Sequence, residues 1–366
     1  MTVPKTMRAV VLTGHGGLDR LVYREDWPVP EPGPGEVLIR VGACGMNNTD
    51  INTQVGWYAK AVREGTTAEG GAHGFEVAGA GDWGDSGIDF PRIQGADVCG
   101  RVVGLGDGVA PDLMGRRVLI DTWLRDWDDP LNRARIGYFG SEADGGFAEY
   151  TKAPARNVHA IESALTDAEL ATFATSYVTA ENMLVQGRVA AGDVVLVPGA
   201  SGGVGSALIQ LIRRRGARAV ALCHPAKADQ VAALGAVAVL PRAPENLRAA
   251  LKSATGEDQV DVVADVVGGP LWPQLIDALK PGGRYTCSGA IAGPIVEFDL
   301  RVFYLNDLVF TGATVIPPGL FADLVGYIAR GEVRPVLAET YPLTDLAEAQ
   351  QAFLAKQHVG NLAILP

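Results

Sequence analysis

The segment "VVLVPGASGGVGSAL", from Val194 to Leu208, is the most informative part of the sequence about the fold. An apolar run leads into Gly199, Gly202 and Gly205, and a helical pattern follows. A strand that passes through a tight glycine turn into a helix gathers free backbone N–H groups where a phosphate can approach. A second apolar run, "RAVALC", follows at the spacing of a β–α–β unit. The stretch therefore predicts a dinucleotide-binding turn, and a plain glycine turn in an α/β domain is the alternative.

The surrounding sequence extends this pattern into a domain. Residues 156–317 alternate apolar strands with amphipathic helices, which is typical of a parallel sheet covered on both faces. Residues 1–155 contain short strands broken by Gly, Pro and Asp, and residues 318–366 return to that style. We therefore expect an α/β protein with a doubly wound Rossmann sheet at 156–317. A mostly β, discontinuous domain built from 1–155 and 318–366 would carry the substrate.

Composition narrows the function classes. The chain has 366 residues with 31 Lys and Arg against 42 Asp and Glu, a net charge of −11. Binding to nucleic acid or to an anionic membrane surface requires clustered Lys and Arg side chains, so we expect neither partner. The four cysteines form no C-x-x-C pair, and no apolar run approaches the ~18 residues of a membrane helix. These features predict a cytoplasmic protein with reduced thiols.

The end of the second strand indicates which dinucleotide is bound. The sequence there is "ALCHPAKADQ", with His224 and Lys227 and no acidic residue before Asp229. An acid at the strand end would bind the ribose 2′-hydroxyl of NAD, whereas cations suit the 2′-phosphate of NADP. We therefore expect NADP(H), held in part by His224 and Lys227. The alternative for Lys227 is a solvated residue in the first turn of the next helix.

Several motifs together carry a family resemblance. They are "GEVLIRV", "GGFAEYTKAP" (Gly145–Pro154), the glycine turn, "LKPGGRYTCSGA" (Leu279–Ala290) and "HVGNLAIL". With them the chain resembles the medium-chain dehydrogenase/reductase superfamily over nearly all of its length. The resemblance implies a GroES-like catalytic domain beside the Rossmann domain, and a homodimer joined through the edge strand "DLVFTGATVI" at 307–316. It also implies a set of cofactor-binding residues: Thr179, Gly199, Ser201, Gly202, Gly203, Val204, Gly205, Gly289 and Ala290.

The zinc members of that superfamily place three metal ligands at recognisable positions. The spacing of Asp50 and Gly56 places Asn47, and not Cys44, at the first position. The second position holds Ala96 and the third holds Thr175. Catalytic zinc generally requires three ligands of Cys, His or carboxylate type. We therefore expect no zinc, and we interpret Cys44 as a small buried hydrophobic residue.

The segment "NNTDINTQVGWY" resembles instead the zinc-free enoyl and quinone reductases. Without a metal, hydrogen-bond donors must stabilise the negative charge that hydride transfer places on a carbonyl oxygen. We expect Asn47 and Tyr58 to supply them, with Tyr58 as the proton donor. Asp50 is the third candidate, although bracing of the loop is its favoured role. Packing of Tyr58 against Trp57 is the alternative for the tyrosine.

The sequence thus predicts an NADPH-dependent, zinc-free oxidoreductase acting on a conjugated carbonyl: a quinone, enone, enal or enoyl thioester. Aromatic residues in and after this segment suggest an apolar pocket wall and a small apolar substrate; they are Trp57, Phe75, Trp83 and Phe90. Two rivals remain. One is an alcohol dehydrogenase or ketone reductase acting on C=O, and the other is a non-catalytic NADPH-binding protein.

Overall fold

A computed structural model describes residues 3–66, 73–75 and 88–366 of the chain. Its strands are β1 (Thr6–Leu12), β2 (Leu21–Pro28), β3 (Glu36–Met46), β4 (Arg92–Ile93), β5 (Asp97–Leu105), β6 (Arg117–Ile120), β7 (Trp123–Leu124), β8 (Gly137–Tyr138), β9 (Tyr150–Pro154), β10 (Val158–Ala160), β11 (Val194–Pro198), β12 (Arg218–Cys223), β13 (Ala238–Pro241), β14 (Val260–Asp265), β15 (Leu279–Cys287), β16 (Val309–Gly312), β17 (Leu337–Pro342) and β18 (Asn361–Leu365). Its helices are α1 (Asn48–Val55), α2 (Asp167–Leu170), α3 (Ala174–Gln186), α4 (Gly203–Arg214), α5 (Ala228–Ala232), α6 (Leu247–Thr255), α7 (Trp272–Asp277), α8 (Leu300–Leu305), α9 (Leu320–Ala329) and α10 (Leu346–Ala355).

Six strands form an all-parallel sheet in the order β13-β12-β11-β14-β15-β16. The first strand in sequence, β11, lies at the centre and is buried along its whole length, as expected for a strand covered on both faces. The chain runs from β11 through β12 to β13 on one side, and then crosses back so that β14 pairs with the other side of β11. Such a switch point opens a crevice at the carboxyl ends of the strands, where doubly wound proteins bind ligands. The predicted Rossmann fold is confirmed.

The remaining strands form a mostly antiparallel assembly. Its largest sheet has the order β10-β6-β5-β3-β18-β17, with β9 also paired to β3. The last strand, β18, pairs with β3 in antiparallel register, and Leu362 faces Met46. The end of the chain therefore lies within the sheet formed by its beginning. The division of the chain into domains at residues 155 and 317 stays a prediction, and β10, just past 155, still pairs with β6.

Helix α3 joins the two sheet systems. Its residues Tyr177 and Met183 are fully buried in a core cluster that also contains Leu208 of α4. The same cluster includes Ala96 and Leu119 from the antiparallel sheet. One continuous apolar core thus fixes α3 against both layers, and this sets the distance between the glycine turn and the end of β3.

Within the described residues, the model contains no helix with both the length and the apolar character needed to cross a membrane.

Candidate active site

The glycine turn leads directly from β11 into α4. Gly199 has φ +65°, a left-handed conformation that favours glycine, and Gly202 caps the helix that Gly203 begins. Gly202 is exposed, and Ser201, Gly203 and Val204 are half-buried. The first N–H groups of the helix have no partner within the helix, so together with the helix dipole they can receive a phosphate. The turn therefore fits the pyrophosphate of a dinucleotide.

The turn is also fixed to the antiparallel sheet. The Gly360 N–H donates to the Ser201 carbonyl at 2.9 Å, just before β18 begins. A Cβ atom on Gly203 would collide with the side chains of Ser176 and Asn361, which close the turn from the other side. The glycine turn therefore contacts α3 through Ser176 and the antiparallel sheet through Asn361 of β18.

The same two residues reach Asn47, the N-cap of α1. The Ser176 hydroxyl is shared between Oδ1 of Asn47 at 3.3 Å and Oδ1 of Asn361 at 3.0 Å. The Asn47 backbone N–H donates to the Asp50 carboxylate at 2.8 Å, so Asp50 braces this turn. Asn47 is 6% exposed, and its Nδ2 makes no hydrogen bond of normal geometry with any described residue. Because Ser176 fixes the oxygen, the amide NH₂ is left as a buried donor.

A second hydrogen-bond network lies beside Asn47. The Thr175 N–H donates to Oδ1 of Asp97 at 2.9 Å, and the Thr175 hydroxyl donates to the same oxygen. The Tyr138 hydroxyl lies 2.7 Å from the Thr175 hydroxyl. Since Thr175 gives its proton to Asp97, its oxygen accepts from Tyr138. The three side chains form one chain of hydrogen bonds from β8 through α3 to β5.

Burial dominates the electrostatics of this region. It raises the pKa of Asp97 to about 6, against the hydrogen bonds from Thr175 and the influence of the nearby Asn47 amide, which favour the carboxylate. It also raises the pKa of Asp50 to about 7, with help from the charge of Asp97. The pKa of the fully buried Cys44 thiol is raised by burial first and by both carboxylates next. Cys44 is thus an inert packing residue.

The residues at the three family ligand positions do not fit a catalytic zinc ion. Ala96 presents only a methyl group, and the Thr175 hydroxyl already serves Asp97 and Tyr138. Asn47 offers a neutral amide whose oxygen accepts from Ser176. Across the described ranges, no group of three or more His, Cys, Asp or Glu side chains is arranged to hold a metal ion.

Tyr58 lies against the helix that Asn47 caps. Its hydroxyl is 3.4 Å from the Thr49 hydroxyl and 3.5 Å from Nδ2 of Asn52. Its ring also meets Trp57 edge-on, with 5.4 Å between the ring centres. The side chain thus combines the packing contact with a polar contact two residues from Asn47. These contacts are compatible with both predicted roles of Tyr58, packing and proton donation.

The predicted aromatic wall is only partly within the described residues, because Trp83 lies outside them. Trp57 and Phe75 pack against the core cluster of the antiparallel domain. Phe90 meets the His15 ring edge-on at 4.9 Å, and His15 in turn contacts the Thr53 carbonyl. These three aromatic residues surround the carboxyl-terminal end of α1 and support the segment that carries Tyr58.

Of the remaining predicted cofactor residues, two lie at one edge of the parallel sheet and the third, Thr179, lies on α3. Gly289 and Ala290 follow β15, and the Ser288 N–H before them donates to the Asp265 carbonyl at 3.1 Å. Because parallel strands end at the same edge, they lie on the side of the glycine turn. Thr179 is half-buried on α3, one turn beyond Thr175.

After β12, His224 and Lys227 have different environments. His224 is exposed, and its Nδ1 accepts from the Ala226 N–H at 3.2 Å. Lys227 is half-buried, and its ammonium donates to the carbonyls of Lys356 at 2.6 Å and His358 at 2.8 Å. Lys227 is therefore not a freely solvated helix residue.

Sequence reasoning missed four residues of the site: Asp97, Tyr138, Ser176 and Asn361. Asp97 could have been found from the sequence, because it directly follows Ala96 at the ligand position and is an acidic residue inside an apolar strand. The other three acquire their roles through contacts between residues more than 30 positions apart, as in the 185-residue separation of Ser176 and Asn361. No local motif marks them.

Two family models match the chain. The model of the alcohol dehydrogenase GroES-like domain matches residues 33–163. The model of the zinc-binding dehydrogenase family matches residues 203–330. Together they cover most strands of the larger antiparallel sheet and all strands of the parallel sheet except β11.

Individual proteins are similar over nearly the whole chain. A solved structure of a candidate alcohol dehydrogenase from Sinorhizobium meliloti 1021 is 47% identical, with a TM-score of 0.91, covering 100% of this chain and 98% of that one. The quinone oxidoreductase of Homo sapiens is 26% identical over 96% of this chain and 94% of its own. The acryloyl-coenzyme A reductase of Metallosphaera sedula is 24% identical over 98% of this chain and 99% of its own.

Proposed function

Because the chain belongs to the medium-chain dehydrogenase/reductase superfamily and is an alcohol dehydrogenase-like oxidoreductase, we propose that it is an NADPH-dependent, zinc-free reductase of conjugated carbonyl compounds. Quinones, enones, enals and enoyl thioesters are the substrate classes. The observation that carries the proposal is the buried Asn47 amide at a family metal-ligand position: its oxygen accepts from Ser176, and its NH₂ group makes no hydrogen bond of normal geometry with the described residues. The similarity to a quinone oxidoreductase and an acryloyl-coenzyme A reductase supports the substrate classes.

Asn47 would stabilise charge on the substrate oxygen. NADPH, when bound, supplies the hydride that reduces the conjugated system. The electrons then accumulate on the carbonyl oxygen, and a fixed donor in a water-poor site stabilises them without having to reorient. Ser176 holds the Asn47 oxygen by a hydrogen bond, so the NH₂ group of the same amide would be the part that donates to the substrate oxygen. Removal of one such donor typically costs about 100-fold in rate.

Tyr58 would donate the proton that the reduced substrate needs. Its hydroxyl lies 3.4 Å from Thr49, close to the start of α1 where Asn47 sits. A half-buried phenol can donate a proton to an enolate and be reprotonated from solvent. Asp50 is assigned the role of a brace and not of an acid, because its carboxylate accepts from the Asn47 N–H.

NADP(H) is the proposed cofactor because of the charges after β12. No acidic residue stands between Cys223 and Asp229 to bind a ribose 2′-hydroxyl, and Lys227 lies close by. The glycine turn and the edge that carries Gly289 and Ala290 would hold the pyrophosphate and the nicotinamide ribose.

The oligomer proposed is a homodimer built on the edge strand β16. The helix before it exposes large apolar side chains, with Leu300 at 67%, Tyr304 at 60% and Leu305 at 70% exposure. Val309 of β16 is also exposed, at 39%. An open sheet edge beside such a patch is suited to pairing with a second copy. Replacement of Leu305 with Asp should convert a dimer to a monomer in analytical ultracentrifugation, and a wild-type monomer would contradict the proposal.

A second candidate function is reduction of an isolated C=O bond, as in an alcohol dehydrogenase or ketone reductase. The 47% identity to the Sinorhizobium meliloti protein favours it. A third is NADPH binding without catalysis. The test is NADPH oxidation with quinones, enones, enoyl thioesters, saturated ketones and aldehydes, for the wild type and for Asn47→Ala.

The expected result is turnover of conjugated substrates that falls about 100-fold in Asn47→Ala, while NADPH affinity is kept. Ser163→Ala serves as a control, because Ser163 lies outside the site and its hydroxyl accepts from the Leu165 N–H. Preferential turnover of saturated carbonyls would favour the second candidate. Tight NADPH binding with no turnover of any substrate would favour the third.

A further inference from the structure

A lysine outside the sites described so far occupies the junction of the two sheet systems. Lys356 follows α10 in a left-handed conformation with φ +51°, which is uncommon for a residue with a side chain. Its ammonium donates to Oδ1 of Asn48 at 2.9 Å and lies 3.7 Å from the centre of the Phe353 ring. Asn48 is the first residue of α1, directly after Asn47. The half-buried ammonium is thus held by one neutral oxygen and one aromatic face.

No carboxylate among the described residues forms an ion pair with Lys356, and its charged neighbour is another lysine. Burial, followed by repulsion from Lys227, lowers the pKa of Lys356 to about 7. A half-buried cation without a counter-ion costs folding free energy, since neutral partners only partly replace water. When it is protonated, Lys356 therefore has no counter-ion among the described residues.

Two backbone contacts place the segment that carries Lys356 along the cofactor crevice. The Lys356 carbonyl accepts from Lys227, which follows the end of β12 where the adenosine ribose lies in doubly wound folds. Four residues beyond Lys356, the Gly360 N–H donates to Ser201 of the glycine turn. The segment 356–360 therefore runs from the ribose side of the crevice to the pyrophosphate side. An anion bound in that crevice would face an ammonium that has no carboxylate of its own.

We propose that the ammonium of Lys356 binds a phosphate group of the dinucleotide cofactor. Lys227, by donating to the carbonyls of residues 356 and 358, positions the segment that carries it. The inference rests on the proposed binding of a dinucleotide, but it is independent of the carbonyl substrate. The phosphate is either the pyrophosphate, shared by NADPH and NADH, or the 2′-phosphate, found only in NADPH.

The test is fluorescence titration of NADPH, NADH and 2′,5′-ADP against the wild type, Lys356→Met, Lys356→Arg and Lys252→Met. Methionine keeps the apolar stem without the charge, and arginine keeps the charge. Lys252 on α6 is an exposed lysine that serves as the matched control. Melting temperatures of all variants establish that each is folded.

Lys356→Met is expected to weaken NADPH binding about 10-fold or more, because a hydrogen bond to a charged group is lost. Arginine should restore most of the affinity, and Lys252→Met should leave it unchanged. Loss confined to NADPH and 2′,5′-ADP assigns the 2′-phosphate, whereas loss with both dinucleotides assigns the pyrophosphate. Equal affinities of the folded Lys356→Met variant and the wild type for all three ligands overturn the inference alone. A wild type that binds neither dinucleotide overturns the proposed function as well.

Discussion

The hydroxyl of Tyr138 lies 2.7 Å from the hydroxyl of Thr175, which donates a hydrogen bond to the buried carboxylate of Asp97. Thr175 stands where zinc-dependent relatives of this superfamily carry a metal ligand. The Thr175 side chain therefore uses its hydroxyl in hydrogen bonds with Asp97 and Tyr138. The network also accounts for a carboxylate that is only 1% exposed and has no cationic partner among the described residues.

The first prediction concerns this network. Thr175→Val keeps the side-chain shape but removes the hydroxyl, leaving Asp97 with one fewer donor and Tyr138 without an acceptor. Loss of a buried partner typically costs about 1–3 kcal/mol of unfolding free energy. Urea denaturation should show that loss for Thr175→Val. Thr344→Val is the control, since Thr344 makes the same kind of bond to Asp345 at an exposed position; equal losses in both variants would refute the argument.

The second prediction concerns pH and stability. Burial raises the pKa of Asp97 to about 6 from an ordinary value of 3.8, so the folded state binds its proton more tightly than the unfolded state does. Its stabilising contribution is thus complete below about pH 4 and is lost as the pH rises through 6. Asn at position 97 still accepts from Thr175 but cannot ionise.

Unfolding free energies of the wild type and Asp97→Asn should therefore diverge between pH 4 and 7, with the wild type losing more, on the order of 1–3 kcal/mol. Asp50 still titrates in both proteins, but the variant lacks the Asp97 charge that helps to raise the Asp50 pKa, so the difference reports Asp97 together with its coupling to Asp50. Asp112→Asn, at an exposed aspartate, should run parallel to the wild type. Parallel curves for Asp97→Asn would mean that folding leaves the pKa of Asp97 at its ordinary value, which would contradict the prediction.

The third prediction separates two neighbouring glycines. Ala at Gly203 would collide with Ser176 and Asn361, whereas the nearest atom to a Cβ on Gly202 is 3.6 Å away. Overpacking of this kind typically costs about 1–3 kcal/mol. Gly203→Ala should lower the melting temperature and Gly202→Ala should not, although the latter projects into the space for a phosphate. Equal melting temperatures would contradict the close packing of the turn against α3 and β18.

The sequence alone predicted the parallel sheet, because "VVLVPGASGGVGSAL" combines a strand, a turn and a helix within fifteen residues. Its pattern is local, and Gly199 and Gly205 meet conformational and steric demands that arise within the turn itself. The hydrogen-bond partners of Asn47 were not predictable in this way. Ser176 lies 129 residues away from Asn47, and only the packing of α3 between the two sheets brings them together. Lys227 illustrates the same limit, since its contacts with residues 356 and 358 depend on the path of the chain end.

The fourth prediction concerns the proton donor. Tyr58→Phe keeps the ring contact with Trp57 but removes the hydroxyl beside Thr49. Loss of a general acid typically lowers the rate about 100-fold or more. We expect that fall in kcat with conjugated substrates and an unchanged Kd for NADPH. Tyr150→Phe, on β9, should keep full activity. An unchanged kcat in Tyr58→Phe would leave Tyr58 as a packing residue, and the proton would then come from another donor.

The fifth prediction concerns metal content. Ala96 offers no ligand atom, and the Thr175 hydroxyl is held by Asp97 and Tyr138, so the protein purified from zinc-supplemented medium should contain far less than one zinc ion per chain. Elemental analysis measures this directly, and dialysis against EDTA should leave turnover unchanged. The triple variant with Asn47→Cys, Ala96→His and Thr175→Cys restores three competent ligands and should retain more zinc than the wild type. About one equivalent of zinc in the wild type, lost together with activity on chelation, would overturn the assignment of Asn47 as the group that stabilises the substrate oxygen.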